Sequence, residues 1–272
     1  MTGEHGVMLN FLVMVEDSPA SQTALHTVCL LDREILVHPV YTAPSKGHDL
    51  VMGAGWAWKT WERENRRRAV QDVEDLVSVQ RGHCQNLKAP VVVSGRPVKA
   101  VTASFFAKSC DLVVAGTPFR GMPPLTLARR FQKRVRARSR DLPLLIVKTA
   151  RPIRNITALT DGSDPAEKAL GVLNRLVPRL DARVTLVGLA GEKDSLTARE
   201  VINLERGFAI LQEKGIKAEG FSAKHLNRLT PNFPETDLLV LPFSSAACLT
   251  LFEGIEARIS AVLFFFEGNE EA

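Results

Sequence analysis

The sequence predicts an α/β protein built as two tandem domains, each with a five-stranded parallel sheet covered by helices. Three observations carry this prediction. Short apolar runs alternate with helical patterns along the chain, and such alternation builds parallel sheets buried on both faces. The order of elements repeats after about residue 150. The length of 272 residues suits two domains of about 135 residues each. The expected domains are residues 1–150 and 151–272, joined by a linker at Thr149–Arg154.

In the first half, "LNFLVMVE" (Leu9–Glu16) is rich in β-formers and reads as a buried strand. Ser18-Pro19 then reads as N-cap and first residue of a helix running to about Leu31. "EILVHPVY" (Glu34–Tyr41) is a second strand, with Pro39 expected at its end or at a bulge. A long loop, Ala43–Thr60, precedes a charged helix over Trp61–Leu87. "APVVVSG" (Ala89–Gly95) is a third strand, followed by a helix from Pro97 to about Ser109. "DLVVAG" (Asp111–Gly116) and "LPLLIVK" (Leu142–Lys148) are the fourth and fifth strands, with a helix over Leu125–Arg138 between them.

The second half repeats this order. Its strands are Asn155–Asp161, Ala182–Ala190, Ile216–Ala223, Asp237–Phe243 and Ser260–Phe266. Helices are expected over Pro165–Val177, Leu196–Lys214 and Ser245–Glu256. The two prolines of "HLNRLTPNFPE" predict an irregular connection in place of a third helix. Local echoes support a duplication. "MVEDSPASQTAL" (Met14–Leu25) and "LTDGSDPAEKAL" (Leu159–Leu170) each run from an apolar stretch into an acid, a serine, a proline and an Ala-Leu helix. "CDLVVAGTP" and "TDLLVLPFS" form a second such pair.

Composition narrows the function classes. Apolar residues make up 45% and charged residues 24%, ordinary for a globular protein with an ample core. The four cysteines have no CxxC spacing, so neither a disulfide framework nor a thiolate metal site is expected. No secretory leader or membrane-spanning run is evident, which makes the cytoplasm the expected location. Net charge is +5, divided unevenly. The first 150 residues carry 21 Lys/Arg against 13 Asp/Glu, a balance of +8; the remainder carry 14 against 17, a balance of −3. Halves of opposite sign suit different partners.

"LTDGSDPAEKAL", "ILVHPV" and "CDLVVAGTPFRG", followed by a helix and "LPLLIVK", resemble the strand ends and loops of universal stress proteins. The resemblance covers nearly the whole chain as two copies. It implies the nucleotide-binding, adenine nucleotide alpha hydrolase-like version of the α/β fold, with ATP or AMP as the ligand of many members. It also implies which residues serve: the acid after strand one, Glu16 or Asp161, and the end of strand two, Val40 or Leu189, meet adenine and ribose. A G-x-x-G loop, nine further residues and a G-S/T pair hold the phosphates through close backbone N–H groups. The chain departs from that pattern. Gly116 and Gly121 are too far apart, Thr117 lies between them, and Arg129-Arg130 stand where the G-S pair belongs. In the second half "LPFSSAACLTLFEG" has no glycine before Gly254, so ordinary phosphate binding is expected to be lost there. The family also pairs its domains, often through the last strand. Leu142–Lys148 and Ser260–Phe266 are the expected edges for pairing the two domains within one chain, and a homo-oligomer is a further expectation.

Other features invite a functional or a plain reading. Seven cations fall within residues 129–140. They read as an anion-docking or nucleic-acid surface, as a solvated helix stripe through Arg129, Lys133, Arg136 and Arg140, or as side-chain replacements for the missing phosphate cradle. Trp56, Trp58 and Trp61 read as a pocket cap or as packing. His38 reads as a structural histidine in a strand, and Cys110 as a buried hydrophobe. Ser18 and Ser163 read as N-caps rather than nucleophiles, and no catalytic residue or metal site is expected.

The functional expectation is therefore a non-enzymatic stress-response or regulatory protein with weak or lost ATP/AMP binding, any surviving site lying in the first domain. The alternatives are an adaptor docking an acidic protein, nucleic acid or anionic lipid through the basic helix, and an ATP-hydrolysing or adenylyl-transferring enzyme. The enzyme is disfavoured because neither an SGGxDS nor a HIGH-like stretch is present.

Overall fold

The computed structural model describes residues 8–31, 34–43, 56–82, 84–189, 198–213, 215–223 and 233–269. The chain divides into two compact units, Met1–Arg134 and Val135–Ala272. Each is an α/β unit, the first with four parallel strands and the second with six strands, parallel except for one pair, because the fifth strand expected in the first domain falls in the second unit.

The first unit runs β1 (Leu9–Val15), α1 (Pro19–Leu31), β2 (Ile35–Ala43), α2 (Trp56–Arg81), β3 (Val91–Ser94), α3 (Pro97–Ala107), β4 (Leu112–Gly116) and α4 (Pro124–Val135). Its strands lie in the order β3-β2-β1-β4, and each neighbouring pair is parallel. The central strands are buried because both faces are covered: every residue of β4 is buried, and in β1 all but Asn10. Asp111 fixes the foot of this pair. Its carboxylate accepts the Asn10 N–H at 2.9 Å, and its own N–H donates to the Asn10 carbonyl at 2.8 Å.

Pro39 lies inside β2, opposite Val13, and not at its end. Backbone groups alternate sides along a strand, so Pro39 faces the same neighbour as Val37. Val37 bonds Asn86 and Lys88 there, whereas the ladder to β3 opens only at Val40 opposite Val91. The missing proline N–H therefore falls in a gap between two ladders. Helix α2 begins five residues earlier than the charge pattern suggested, so Trp56, Trp58 and Trp61 belong to a helix and not to a loop. Their side chains lie outside the described residues. Arg66, Arg67 and Arg68 are exposed on α2, with Arg67 3.5 Å from Glu64. His38 is half-buried, and burial, then Lys108 and Lys88, holds its imidazole below the ordinary value. Cys110 is fully buried. Cys29 and Cys84 meet as free thiols; their mutual hydrogen bond pushes the Cys29 thiol up and the Cys84 thiol down.

The second unit runs β5 (Leu142–Val147), β6 (Asn155–Thr160), α5 (Asp164–Leu176), β7 (Arg183–Leu189), α6 (Ala198–Gln212), β8 (Ala218–Ala223), β9 (Leu238–Pro242), α7 (Ala246–Ile255) and β10 (Ala261–Phe266). Its strand order is β5-β10-β9-β6-β7-β8. All pairs are parallel except β5 with β10, which run antiparallel from Ala261 opposite Val147 to Phe266 opposite Leu142. That pairing is why β5 groups with the second unit. Most of the connection expected to be irregular, residues 224–232, lies outside the described residues.

The internal repeat is visible in hydrogen bonds as well as strand order. β8-β7-β6-β9 follows the pattern of β3-β2-β1-β4. Asp237 does at the foot of β6 what Asp111 does at the foot of β1: its carboxylate accepts from Asn155 at 2.9 Å, and its N–H donates to the Asn155 carbonyl at 2.8 Å. The core of the second unit is aromatic. Phe264 stands edge-on to Phe243 and to Phe252, each at 5.3 Å between centroids. Phe264 is fully buried. Phe264→Ala is expected to destabilise the second unit by about 3–5 kcal/mol, read from the denaturant midpoint, because the cavity would be lined by rings that cannot collapse into it.

Candidate functional site

Ligands of open parallel sheets bind beyond the strand carboxyl ends, where the strand order reverses. In the first unit that point lies between β1 and β4. Glu16 follows β1 directly. Its carboxylate accepts the Ser18 hydroxyl at 3.0 Å, and Ser18 Oγ accepts the Ser21 N–H at 3.3 Å, so Ser18 caps α1 as expected. Val40 is fully buried within β2.

The loop after β4 takes a form that its glycine spacing does not reveal. Met122 donates its N–H to the Phe119 carbonyl at 2.9 Å, closing a tight turn. Both central residues have positive φ, Arg120 at 48° and Gly121 at 72°. A turn of type I′ needs this, and it places an arginine where Asn or Asp is more usual. Thr117 is nearly buried, and its hydroxyl reaches the Met122 carbonyl at 3.4 Å. The turn delivers Arg120 into the crevice. Its N–H donates to Glu16 Oε1 at 3.0 Å, and its Nε lies 3.5 Å from Glu16 Oε2. Its terminal nitrogen donates to the Thr42 carbonyl at 2.7 Å. One residue after β4 thus ties down the acid after β1 and the end of β2. The Glu16 side chain retains 12% exposure. Close by, burial, then the carboxylates of Asp72 and Asp17, holds the Tyr41 phenol above its ordinary value, with Arg120 opposing.

Gly116 serves packing. A Cβ there would lie 1.8 Å from the Ala20 carbonyl oxygen, because the first turn of α1 rests on the end of β4. Gly121 is exposed, with open space around it, and its glycine is required by φ alone. Arg129 and Arg130 are exposed in the second turn of α4, whereas the family pattern put them at the helix start. The helix also ends at Val135, three residues short of the expected Arg138. Arg136 and Arg140 therefore do not continue a stripe with Arg129 and Lys133.

The second unit repeats the corner with different partners. Asp161 Oδ1 accepts from the Ser163 hydroxyl at 2.6 Å and from its N–H at 3.1 Å, with Gly162 at φ 73° between them. The Ser163 side chain makes no capping bond to α5, contrary to expectation, because its hydroxyl is turned to Asp161. Across from Asp161, Ser245 Oγ accepts the Cys248 N–H at the start of α7. Burial, with Asp161 adding, pushes the Cys248 thiol up to about 12. Leu189, at the end of β7, is buried. Glu16 with Ser18, and Asp161 with Ser163, are thus one local device used twice.

Two hollows stand out among the described residues. One, of about 730 Å³, lies at the amino ends of β6, β7 and β8, opposite to where this fold binds ligands. The other, of about 540 Å³, lies in the first unit between the start of α3, the Arg120 turn and α4. Sequence reasoning missed Arg120, although the "FRGM" stretch carried a turn signal in its Arg-Gly pair.

No family model and no curated protein matches the chain. Solved structures do. A universal stress protein from Archaeoglobus fulgidus DSM 4304 aligns over 97% of this chain and 97% of its own, with TM-score 0.61 and 11% identity. A putative universal stress protein from Pseudomonas aeruginosa UCBPP-PA14 aligns over 98% and 95%, with TM-score 0.54 and 14% identity. The chain has the fold of the universal stress proteins.

Gly116→Ala is expected to cost at least about 3 kcal/mol, because the added carbon meets backbone atoms rather than a yielding side chain. Chemical denaturation measures it.

Proposed function

We propose that the chain is a non-enzymatic stress-response or regulatory protein of the universal stress type, in which adenine-nucleotide binding is weak or lost. One observation carries this reading: Arg120 spans the crevice from Glu16 to Thr42. In the resemblance stated above, that acid and the neighbouring strand end serve adenine and ribose. A nucleotide would have to displace a main-chain bond to the carboxylate, a guanidinium bond to a carbonyl and a part-exposed ion pair before making any contact of its own. Hydrogen bonds to charged groups contribute about 1.5–3 kcal/mol each, so the competition costs tenfold or more in affinity. The phosphate side offers no compensation, since the loop after β4 is closed into a tight turn and Gly116 is committed to Ala20.

In the second unit the acid is held by its own loop, and the N-terminus of α7 is already capped by Ser245. We therefore place any residual nucleotide affinity in the first domain. In this reading both serines serve their corners rather than chemistry: Ser18 and Ser163 each donate the hydroxyl to the acid two residues before, Glu16 and Asp161.

Calorimetry with ATP and AMP tests the proposal. The wild-type chain is expected to bind with Kd above about 1 mM, whereas Arg120→Ala should tighten binding by about tenfold. Glu16→Ala in the Arg120→Ala background should remove that gain, and Asp161→Ala should not change it. Micromolar ATP binding by the wild-type chain, undiminished by Glu16→Ala, would overturn the reading.

A further inference from the structure

Of the four cysteines, Cys110 and Cys248 are fully buried, while Cys29 and Cys84 meet each other in the first unit. Cys29 is half-buried in the last turn of α1. Cys84 lies just past the end of α2, with 7% of its surface exposed. We propose that Cys29 and Cys84 are a redox site of the chain, a dithiol that a hydroperoxide converts into an intrachain disulfide. Parallel strands require each connecting helix to run back, so the ends of α1 and α2 lie at the amino ends of the strands. The pair is thus at the opposite end of the sheet from the Glu16 corner and shares no residue with it.

The fold holds the two sulfurs together from both sides. His26 Nδ1 on α1 lies 3.3 Å from Gln80 Oε1 on α2. Cys29 follows His26 by three residues and Cys84 follows Gln80 by four, so the thiol contact is the next turn of the same seam. The Cys84 N–H donates to the Gln80 carbonyl at 3.0 Å, which carries the helical path one step beyond α2. Downstream, Val37 of β2 donates to the Asn86 carbonyl at 3.1 Å and accepts the Lys88 N–H at 2.9 Å. Cys84 is therefore pinned before and after. Cys29 is carried by a helix whose Ala24, Leu25 and Val28 are buried. The encounter that a disulfide needs is already made in the reduced chain, and its entropy cost is met by folding.

The two thiols differ in role. The hydrogen bond from Cys29 holds the Cys84 thiol below its ordinary value, with burial opposing and the Asn86 backbone assisting. The same bond, then burial, pushes the Cys29 thiol up. A thiolate is the nucleophile toward peroxides, so Cys84 attacks and Cys29 resolves. In the first step a bond forms between the Cys84 sulfur and one peroxide oxygen, and the O–O bond breaks. The departing oxygen takes up the proton that Cys84 gave, leaving as an alcohol or as water. In the second step the Cys29 sulfur attacks the Cys84 sulfur, the S–S bond forms, and the S–O bond breaks. The hydroxide leaves as water with the Cys29 proton. Two thiols have lost two electrons and the hydroperoxide has gained them. A small dithiol reverses the change by thiol–disulfide exchange. The half-exposed Cys29 and the exposed neighbours Gly82 and Gln85 place the pair within reach of both small reactants.

The test uses the full chain, reduced, freed of reductant and treated with stoichiometric hydrogen peroxide beside a metal chelator. Remaining thiols are alkylated in denaturant, and the chain is digested without reduction for mass spectrometry. The expected product is a chain lighter by two hydrogens, with one peptide pair joined through Cys29 and Cys84. Those two thiols should be lost at least about tenfold faster than Cys110 and Cys248, which are fully buried. Dithiothreitol should restore all four. Cys29→Ser keeps a hydroxyl donor at a half-exposed position, and a thermal melt matching the wild type shows that it folds. This variant should give no joined pair and should gain oxygen on Cys84. The same treatment of the wild-type chain unfolded in urea needs no variant, and there the Cys29–Cys84 pair should lose its predominance over other pairings. Absence of the joined pair from the native chain overturns the proposal. So does a pair equally predominant in the unfolded chain, a bond from Cys29 to a second chain in place of Cys84, or an inert Cys84 in Cys29→Ser. Nucleotide titration reads neither cysteine, so this proposal and the reading of the nucleotide crevice fail independently.

Discussion

One carboxylate at the foot of each central strand pair sets the geometry on which both units depend. Asp111 exchanges two bonds with Asn10, and Asp237 does the same with Asn155. Each locks a buried strand against the strand that returns beside it. Side chains alternate along a strand, so a slip of one residue would turn Val13 or Ala158 out of one helix layer and into the other. Once the foot is fixed, the positions of the carboxyl ends follow. Glu16 must then leave β1 where the turn after β4 can reach it, and Asp161 must leave β6 beside the start of α7.

From this common frame the two corners diverge in chemistry and in one backbone step: Gly162 has positive φ where Asp17 does not, and the Ser163 N–H bonds the Asp161 carboxylate whereas the Ser18 N–H bonds the Glu16 carbonyl. Both keep an acid whose carboxylate accepts a hydroxyl two residues on. In the first unit the remaining capacity of the acid is taken by Arg120, through main chain and side chain together. In the second, the same oxygen takes the Ser163 hydroxyl and N–H, and the opposite wall is a buried thiol. The opposite net charges of the halves have a local counterpart here: an arginine faces one acid, a neutral wall the other.

Much of this was legible in the sequence, and what was not has a physical reason. The runs "LVVAG" and "AVLFFF" became strands to within a residue, because parallel strands buried on both faces must be apolar throughout. The acid-x-serine corners were legible because their bonds are local. Pro39 defied its rule since only the gap between the Leu87 bridge and the β3 ladder makes it harmless, and that gap is a property of three segments together. Arg120 was invisible for the same reason. Its partners, Glu16 and Thr42, lie 104 and 78 residues away. Gly116 was read as a phosphate-loop glycine, yet its need for a missing Cβ arises from Ala20, which no local pattern around Gly116 announces. The basic run was overcounted as a single stripe. The helix stops at Val135, so Arg136 and Arg140 lie beyond it and do not share a stripe with Arg129 and Lys133.

A carboxylate at the crossing of three strand ends cannot stand alone. With 12% of its side chain exposed, Glu16 is partnered by the Ser18 hydroxyl and by Arg120. Arg120 supplies donors to this acid from within the chain. An internal partner is always present and loses little freedom on forming the contact, because the tight turn already fixes the arginine backbone. In the same loop glycine stands where geometry demands it: at Gly116 against the Ala20 backbone, and at Gly121 with its positive φ. The turn that requires Gly121 also carries Arg120 to Glu16, so loop conformation and bridged acid are one arrangement.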